Sequence, residues 1–178
     1  PTTSLEAINA KREIAKRSSV VNYSFYLGAT TNNINDITSL DPRTVCGVKV
    51  FMGSSTGNML VDDKNSLEEI FSMSPIPIVA HCEDMDIIKK NTNEVLERYG
   101  KEAGVEWHPY IRSEEACYKS SCLAVNLAKQ TGAKLHVAHI STSKELELFE
   151  KGNNNITAEA CVPHLVFCDK DYAKLGAI

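Results

Sequence analysis

Three residues that could bind a metal lie within apolar stretches of the chain or directly after them. Lys49 lies inside one such stretch, and His81 and His139 each follow one. Neutral imidazole is the commonest metal ligand among side chains. A single histidine at the end of a strand is more often a hydrogen-bonded structural residue, whereas two histidines on neighbouring strands favour a metal site.

Lys49 is the most informative of the three residues, because a lysine in a buried strand is costly unless it is paired or modified. Burial lowers the pKa of an amine and favours its neutral form. A neutral amine can add carbon dioxide to give a carbamate, an anionic oxygen ligand that could bridge two metal ions. The alternative is a lysine whose stem is buried and whose ammonium group reaches water. The spacing leaves both interpretations open.

The other histidines carry weaker signals. His136 and His139 are three residues apart on one predicted strand, so we expect them to point to opposite faces of a sheet. His108 lies in a loop and is interpreted as structural or surface-exposed. His164 follows the last predicted strand.

Strand-like and helix-like segments alternate along the chain, which predicts a parallel α/β sheet. The predicted strands are 20–27, 45–52, 76–80, 135–140 and 156–162, and the predicted helices are 6–17, 33–40, 66–71, 86–99, 113–130 and 142–150. Capping-box spacings begin two of these helices, at Ser66 and at Thr142. The pattern fits either an open doubly wound sheet or part of a (β/α)8 barrel. A complete barrel needs about 250 residues, so about three strands would be missing.

Composition excludes several classes of partner. The 178 residues carry a formal net charge of −4, with 43% hydrophobic and 24% charged residues. Without a long basic run, nucleic acid and anionic membranes are disfavoured as main partners, and a small-molecule substrate is expected. Six scattered cysteines without a Cys-x-x-Cys pair, and a polar start that does not resemble a signal peptide, predict a reduced, cytoplasmic protein.

The ordered set of motifs resembles dihydroorotases, which are cyclic amidohydrolases of the amidohydrolase superfamily. Residues 47–55 resemble the strand that carries the family's carboxylated lysine. His81-Cys82-Glu83 resembles the His-x-Glu strand end, and residues 139–142 resemble the strand end with the next metal-binding histidine. Two further segments, 111–116 and 158–165, resemble the lead-in to the intervening helix and the family's Glu-x-x-Pro-His-His-Leu segment.

The resemblance implies a (β/α)8 barrel with a two-zinc site. Lys49, as a CO2-derived carbamate, would bridge the zinc ions, and His81 and His139 would bind one of them. The site would activate water to open the ring amide of dihydroorotate, giving N-carbamoyl-L-aspartate. The reverse cyclisation is the direction used in de novo pyrimidine biosynthesis.

Substrate-binding residues follow from the same resemblance. Ser54, Ser55 and Thr56 occupy the loop that closes over substrate in some members of the family. Pro163 stands where the family has one of its paired histidines, so His164 alone remains as a candidate there. A homodimer is expected, and aspartate carbamoyltransferase is a further candidate partner.

Several family motifs are missing from the sequence. It has no His-x-His pair, and the strand end with the catalytic Asp, Asp-His-Ala-Pro-His, would follow Ile178. Residues 1–178 would therefore supply about strands three to seven of a single barrel domain, without its first two strands and its last strand. With three of six expected protein ligands, the chain alone is expected to bind zinc weakly and to be inactive.

Three alternatives remain at this point. The first is an allantoinase- or hydantoinase-type cyclic amidase, although His164-Leu165 and Gly53-Ser54-Ser55 favour dihydroorotase. The second is a non-catalytic homologue that serves as a structural partner, for example of aspartate carbamoyltransferase. The third is an unrelated open α/β binding module, which predicts that Lys49, His81 and His139 do not converge.

Overall fold

A computed structural model describes residues 1–55 and 59–176. Within these residues, five strands form one parallel sheet in chain order: β1 (Tyr26–Gly28), β2 (Gly47–Phe51), β3 (Ile78–His81), β4 (Leu135–Val137) and β5 (Ile156–Ala158). The predicted parallel sheet is confirmed. Strands that pair in chain order are typical of a (β/α)8 barrel, since a doubly wound sheet reverses its strand order at a switch point.

Helices lie between and beside the strands. They are α1 (Leu5–Ser18), α2 (Ile34–Thr38), α3 (Lys64–Met73), α4 (Met85–Tyr99), α5 (His108–Ile111), α6 (Glu114–Thr131), α7 (Val162–Val166) and α8 (Tyr172–Leu175), with 3-10 turns at Gly100–Glu102, Val105–Trp107, Lys144–Leu148 and Asp169–Asp171. No helix in the described part of the chain is long and apolar enough to cross a membrane.

Helix α6 begins and ends as its sequence predicts. The Ser113 hydroxyl accepts a hydrogen bond from the Ala116 amide at 3.3 Å, which satisfies one of the free N–H groups of the first turn. Gly132 follows the helix with a φ of +75°, a left-handed conformation that glycine adopts without steric cost.

The predicted capping boxes at Ser66 and Thr142 are absent. Helix α3 is capped by Asp63, whose carboxylate accepts a hydrogen bond from the Ser66 amide at 2.9 Å. In the second case Glu145 is buried and accepts a hydrogen bond from the Thr142 hydroxyl at 2.9 Å. The segment that follows is the 3-10 turn Lys144–Leu148 rather than the predicted helix.

All five strands are shorter than predicted, and β1, β4 and β5 have half of their predicted length or less. In place of the strand predicted at 20–27, the structure has the shorter β1. Val20, which precedes β1, is 98% exposed. The β-branched residues at the start of this predicted strand therefore have no sheet to pack against. The strand predicted at 156–162 ends at Ala158, and the strand predicted at 135–140 ends at Val137.

One face of the sheet forms the core. Its residues alternate with those of the opposite face, as the twofold repeat of a strand requires. The buried residues on this face are Leu27, Val48, Val50, Ile78, Ala80, Leu135, Val137 and Ile156, and they belong to one cluster with residues of α3 and α6. The burial of this apolar face against the helices fixes which residues are left for the other face.

The opposite face of the sheet carries the polar side chains. Strand register pairs Lys49 with Val79 and Val79 with His136, and it pairs Phe51 with His81. Register partners in neighbouring parallel strands share a face. Lys49, His81 and His136 therefore lie on the same side of the sheet.

All six cysteines are free thiols. Cys82 and Cys117 are buried, and loss of solvation raises the pKa of each thiol to about 12. The thiolate, which is the reactive form, is therefore scarce at neutral pH. These two cysteines are structural residues rather than nucleophiles.

The core assignment can be tested with two leucines of α6. Leu127 is 2% exposed and Leu123 is 37% exposed. We expect Leu127→Ala to lower the free energy of unfolding by about 2–5 kcal/mol, because it leaves a cavity in the core. Leu123→Ala makes the same change in helix propensity and should cost under about 1 kcal/mol. Urea denaturation measures both variants, and equal losses would contradict the assignment.

Candidate metal centre

Two imidazole rings meet beyond the carboxyl ends of β3 and β4. Nδ1 of His81 lies 3.2 Å from Nε2 of His139, and the ring centroids are 4.9 Å apart. Zinc binds imidazole nitrogen at about 2.0–2.1 Å, so two nitrogens on one tetrahedral zinc lie about 3.4 Å apart. The two rings are thus placed so that one ion could bind both.

The backbone at His139 explains how its ring reaches His81. His139 is the non-glycine residue with a positive φ among the described residues, at +43°. Because β4 has already ended at Val137, the alternation of strand side chains no longer applies there. The expectation that His136 and His139 point to opposite faces was wrong, since His81 shares a face with His136 and contacts His139.

The amine of Lys49 is buried and has no hydrogen-bond partner among the described residues. Its Nζ lies 4.6 Å from the centroid of the Phe51 ring. Burial lowers the pKa of Lys49 to about 8, and nearby Cys82 and Glu159 offset this only in part. The amine does not reach water, so the structure does not support the alternative of a lysine with a solvated head group.

The charge of Lys49 also acts on the histidine pair. Burial lowers the pKa of His139, and the neighbouring His81 and Lys49 lower it further. Lys49 and His139 therefore lie in one electrostatic environment that favours their neutral forms, and His81 is in contact with His139. This convergence contradicts the interpretation as an unrelated binding module.

Glu83 connects His81 to a cation. Its Oε2 lies 2.7 Å from Nε2 of His81, and Nε of Arg112 donates to its Oε1 at 2.6 Å. A second guanidinium nitrogen of Arg112 donates to Oε2. Burial would raise the pKa of Glu83, but the hydrogen bonds from His81 and Arg112 outweigh burial and bring it to about 2. Glu83 is therefore an ionised acceptor.

Sequence reasoning missed the role of Arg112. Arg112 lies 29 positions beyond Glu83, in a segment identified only as the lead-in to a helix. Gly53 is a second residue with an unrecognised role. A Cβ atom at Gly53 would lie 2.7 Å from Cβ of Glu83, so only glycine allows the segments that follow β2 and β3 to approach this closely.

The predicted substrate-binding residues are only partly placed. Ser54 and Ser55 follow β2 and are half-buried, and the Ser54 hydroxyl lies 3.7 Å from Sδ of Met85. Thr56 lies outside the described residues. His164, on α7, lines a cleft of about 1070 Å³ that also contains His81 and His139.

His108 lies on the wall of the same cleft. Its Nδ1 is 3.1 Å from the hydroxyl of Tyr172, and its side chain is exposed. This contact ties α5 to α8 across the cleft. The interpretation of His108 as a surface residue agrees with its exposure, although it also borders the candidate centre.

Within residues 1–55 and 59–176, no three His, Cys, Asp or Glu side chains converge to form a metal-binding group. The centre consists of two imidazoles and the amine of Lys49. A catalytic zinc normally has about three protein ligands. These residues fit a metal only if Lys49 contributes an oxygen ligand, which its buried and unpartnered amine could do as a carbamate.

Comparison with known proteins supports the fold described above and the resemblance found in the sequence. No model of a protein family matches the chain. The dihydroorotase of Methanosphaera stadtmanae is 30% identical over 179 residues, and the allantoinase of Rubrobacter xylanophilus is 27% identical over 187 residues. The matches cover 98% and 99% of this chain, respectively, and 40% of each relative. The chain therefore spans about 40% of the length of these relatives.

The fold is shared with L-hydantoinase from Arthrobacter aurescens, with a TM-score of 0.88 and 23% sequence identity. That match covers 98% of this chain and 40% of the hydantoinase. The predicted fold, a parallel α/β part of a (β/α)8 barrel, is confirmed. The resemblance to dihydroorotases is also confirmed, but relatives named allantoinase share it to a similar degree.

The depressed pKa of Lys49 predicts a dependence of stability on pH. Below about pH 8 the lysine is protonated in both states, so the cost of burying its charge is fully present. Between about pH 8 and the ordinary value of 10.5, only the unfolded chain binds this proton, and the native state gains stability. In bicarbonate-free buffer, Lys49→Met should therefore stabilise the protein most at pH 7, and this advantage should shrink as the pH rises to 10.5.

The measurement is the free energy of unfolding of both proteins in urea across this pH range. Groups that are not coupled to Lys49 contribute equally to both proteins and cancel in the difference. Of the coupled groups, His139 has its pKa below this pH range and Cys82 has its pKa above it. A difference that does not change with pH would show that Lys49 has an ordinary pKa.

Proposed function

We propose that this chain supplies the lysine and two of the histidines of a two-zinc site in a cyclic amidohydrolase. The whole protein would interconvert dihydroorotate and N-carbamoyl-L-aspartate. The observation that carries this proposal is the buried, unpartnered amine of Lys49 on the sheet face where His81 and His139 meet. An amine without a partner in this position is costly unless it is chemically changed.

The change proposed for Lys49 is carbamate formation. The lone pair of the neutral amine forms a bond to the carbon of CO2, and one proton leaves the nitrogen. The product carries a negative charge on two oxygens, which can bind two cations at once. A pKa of about 8 leaves a substantial neutral fraction near neutral pH, and the reaction requires this fraction.

The two histidines would bind through the nitrogens that face each other. His81 would use Nδ1 and His139 would use Nε2, and Glu83 holds the other nitrogen of His81. When bound, the zinc pair would polarise the amide carbonyl of the substrate and lower the pKa of water towards 7. The general acid and base of the reaction is expected outside this chain.

The choice of dihydroorotate as substrate rests on His164-Leu165 and Gly53-Ser54-Ser55, which resemble dihydroorotase motifs. The 30% identity to the dihydroorotase of Methanosphaera stadtmanae supports the same choice. An allantoinase-type cyclic amidase is the second candidate, because the match to the Rubrobacter xylanophilus allantoinase extends over 99% of the chain. Both candidates require the same three ligands.

The carbamate and the activity can be tested together in the full-length protein. Lys49→Met should lower the turnover of dihydroorotate at least about 100-fold, since loss of a ligand should exceed the 10–100-fold cost of losing an outer-sphere partner. After equilibration with 13C-labelled bicarbonate, NMR should show a carbamate signal in the natural protein and none in the variant. Lys134→Met is the matched control, because Lys134 is an exposed lysine beside β4.

Assays with dihydroorotate, allantoin and a hydantoin separate the candidates. Turnover of allantoin or the hydantoin alone would replace the proposed substrate and leave the metal site intact. Absence of both turnover and the carbamate signal would indicate a non-catalytic homologue.

The chain of 178 residues produced alone provides a further test. It holds three of the six protein ligands that the resemblance implies, so we expect weak zinc binding and no measurable turnover. Competition with a chromophoric chelator measures the affinity, and the same substrate assays measure the rate. Turnover by the isolated chain would mean that the three described ligands are sufficient, against the usual need of about three protein ligands for each catalytic zinc.

A further inference from the structure

We propose that Arg112 is a positioning residue that, through Glu83, fixes the tautomer and the ring orientation of His81. The inference deepens the proposed function, because it concerns a histidine assigned there as a metal ligand. It rests on a continuous chain of contacts from the guanidinium of Arg112 through the carboxylate of Glu83 to Nε2 of His81.

The contact between Arg112 and Glu83 uses both carboxylate oxygens. Nε of Arg112 donates to Oε1 at 2.6 Å, and a terminal nitrogen donates to Oε2. Paired bonds of this kind fix the plane of a carboxylate as well as its position. The Glu83 side chain is 8% exposed, so little water competes for its oxygens.

The carboxylate in turn determines which nitrogen of His81 carries the proton. An ionised carboxylate can only accept, so Nε2 of His81, 2.7 Å from Oε2, must be the donor. In the neutral imidazole, Nδ1 then has a lone pair, and it faces Nε2 of His139 at 3.2 Å. In the metal-free protein, His139 donates to this lone pair. The same lone pair becomes available to a metal once His139 changes tautomer and carries its proton on Nδ1 instead of Nε2.

The backbone of Glu83 is already fixed by other contacts. Gly53 packs against its Cβ and main chain, and the amide of Asp84 donates to the carbonyl of Ala116 at 3.0 Å. The freedom that remains is rotation of the Glu83 side chain. The guanidinium of Arg112 restricts this rotation, and in this way Arg112 positions His81.

A neighbouring ion pair offers a matched control. Nζ of Lys119 lies 2.7 Å from Oδ2 of Asp84, so this pair ties the segment after β3 to α6, much as Arg112 ties it to the turn before α6. No hydrogen bond or ion pair described for Asp84 involves His81. If an ion pair at this place only held the elements together, loss of Lys119 and loss of Arg112 would have similar effects. If Arg112 positions His81, only its loss changes the imidazole.

The experiment uses the full-length protein with 15N-labelled histidine, as wild type, Arg112→Gln, Arg112→Lys and Lys119→Met. Long-range 1H–15N correlations in the metal-free protein report the tautomer of each imidazole. We expect His81 with its proton on Nε2 in the wild type and in Lys119→Met, and a mixture of tautomers in Arg112→Gln. Zinc affinity, measured by chelator competition, should fall about 10–100-fold in Arg112→Gln, as expected for loss of an outer-sphere partner.

Arg112→Lys keeps the charge but cannot form the paired bonds, so its tautomer mixture and zinc affinity should be intermediate. If Arg112→Gln does not fold, Arg112→Lys tests the proposal in its place. An unchanged tautomer and affinity in the folded Arg112 variants would overturn the proposal, as would an equal effect of Lys119→Met. If the wild type binds no zinc but the Arg112 variants change the tautomer, the positioning role stands and the proposed metal function fails.

Discussion

The in-register parallel pairing of β2, β3 and β4 is the constraint from which the rest of the site follows. The register places Lys49 beside Val79 and Phe51 beside His81. A slip by one residue would turn the lysine into the apolar core and a valine to the open face. The burial of the other face against α3 and α6 makes such a slip costly, because it would expose core residues. Packing on one side of the sheet thus fixes the chemistry on the other side.

The open face separates neutral donors from ionised groups. The amine of Lys49 and the imidazole of His139 both have lowered pKa values, chiefly because of burial. Their neutral nitrogens have the lone pairs that a metal or CO2 requires. Behind them, Glu83 and Arg112 stay ionised, because each is the other's hydrogen-bond partner in a site with little water. His81 bridges the two regions, with one nitrogen directed to each.

Sequence reasoning predicted the features that depend on local pattern. The apolar runs predicted the five strands, and Ser113 and Gly132 marked the ends of α6. It did not predict the left-handed backbone of His139, because no glycine or turn motif marks that position. The pairing of Glu83 with Arg112 depends on the path of α4 and α5 between them, and no sequence spacing encodes it. Val20 to Phe25 has strand propensity, but propensity alone does not provide a neighbouring strand.

Under the proposed function, reaction class and substrate choice would depend on different parts of the molecule. Relatives named dihydroorotase and allantoinase match nearly the whole chain, and an L-hydantoinase shares its fold. A sheet common to proteins with different names cannot itself distinguish their substrates. The walls of the cleft can do so, because they hold side chains that a substrate would meet away from the reacting bond, such as His108, His164 and Tyr172. Lys49, His81 and His139 would then define the reaction, and the residues of α5, α7 and α8 would select the ring on which it acts.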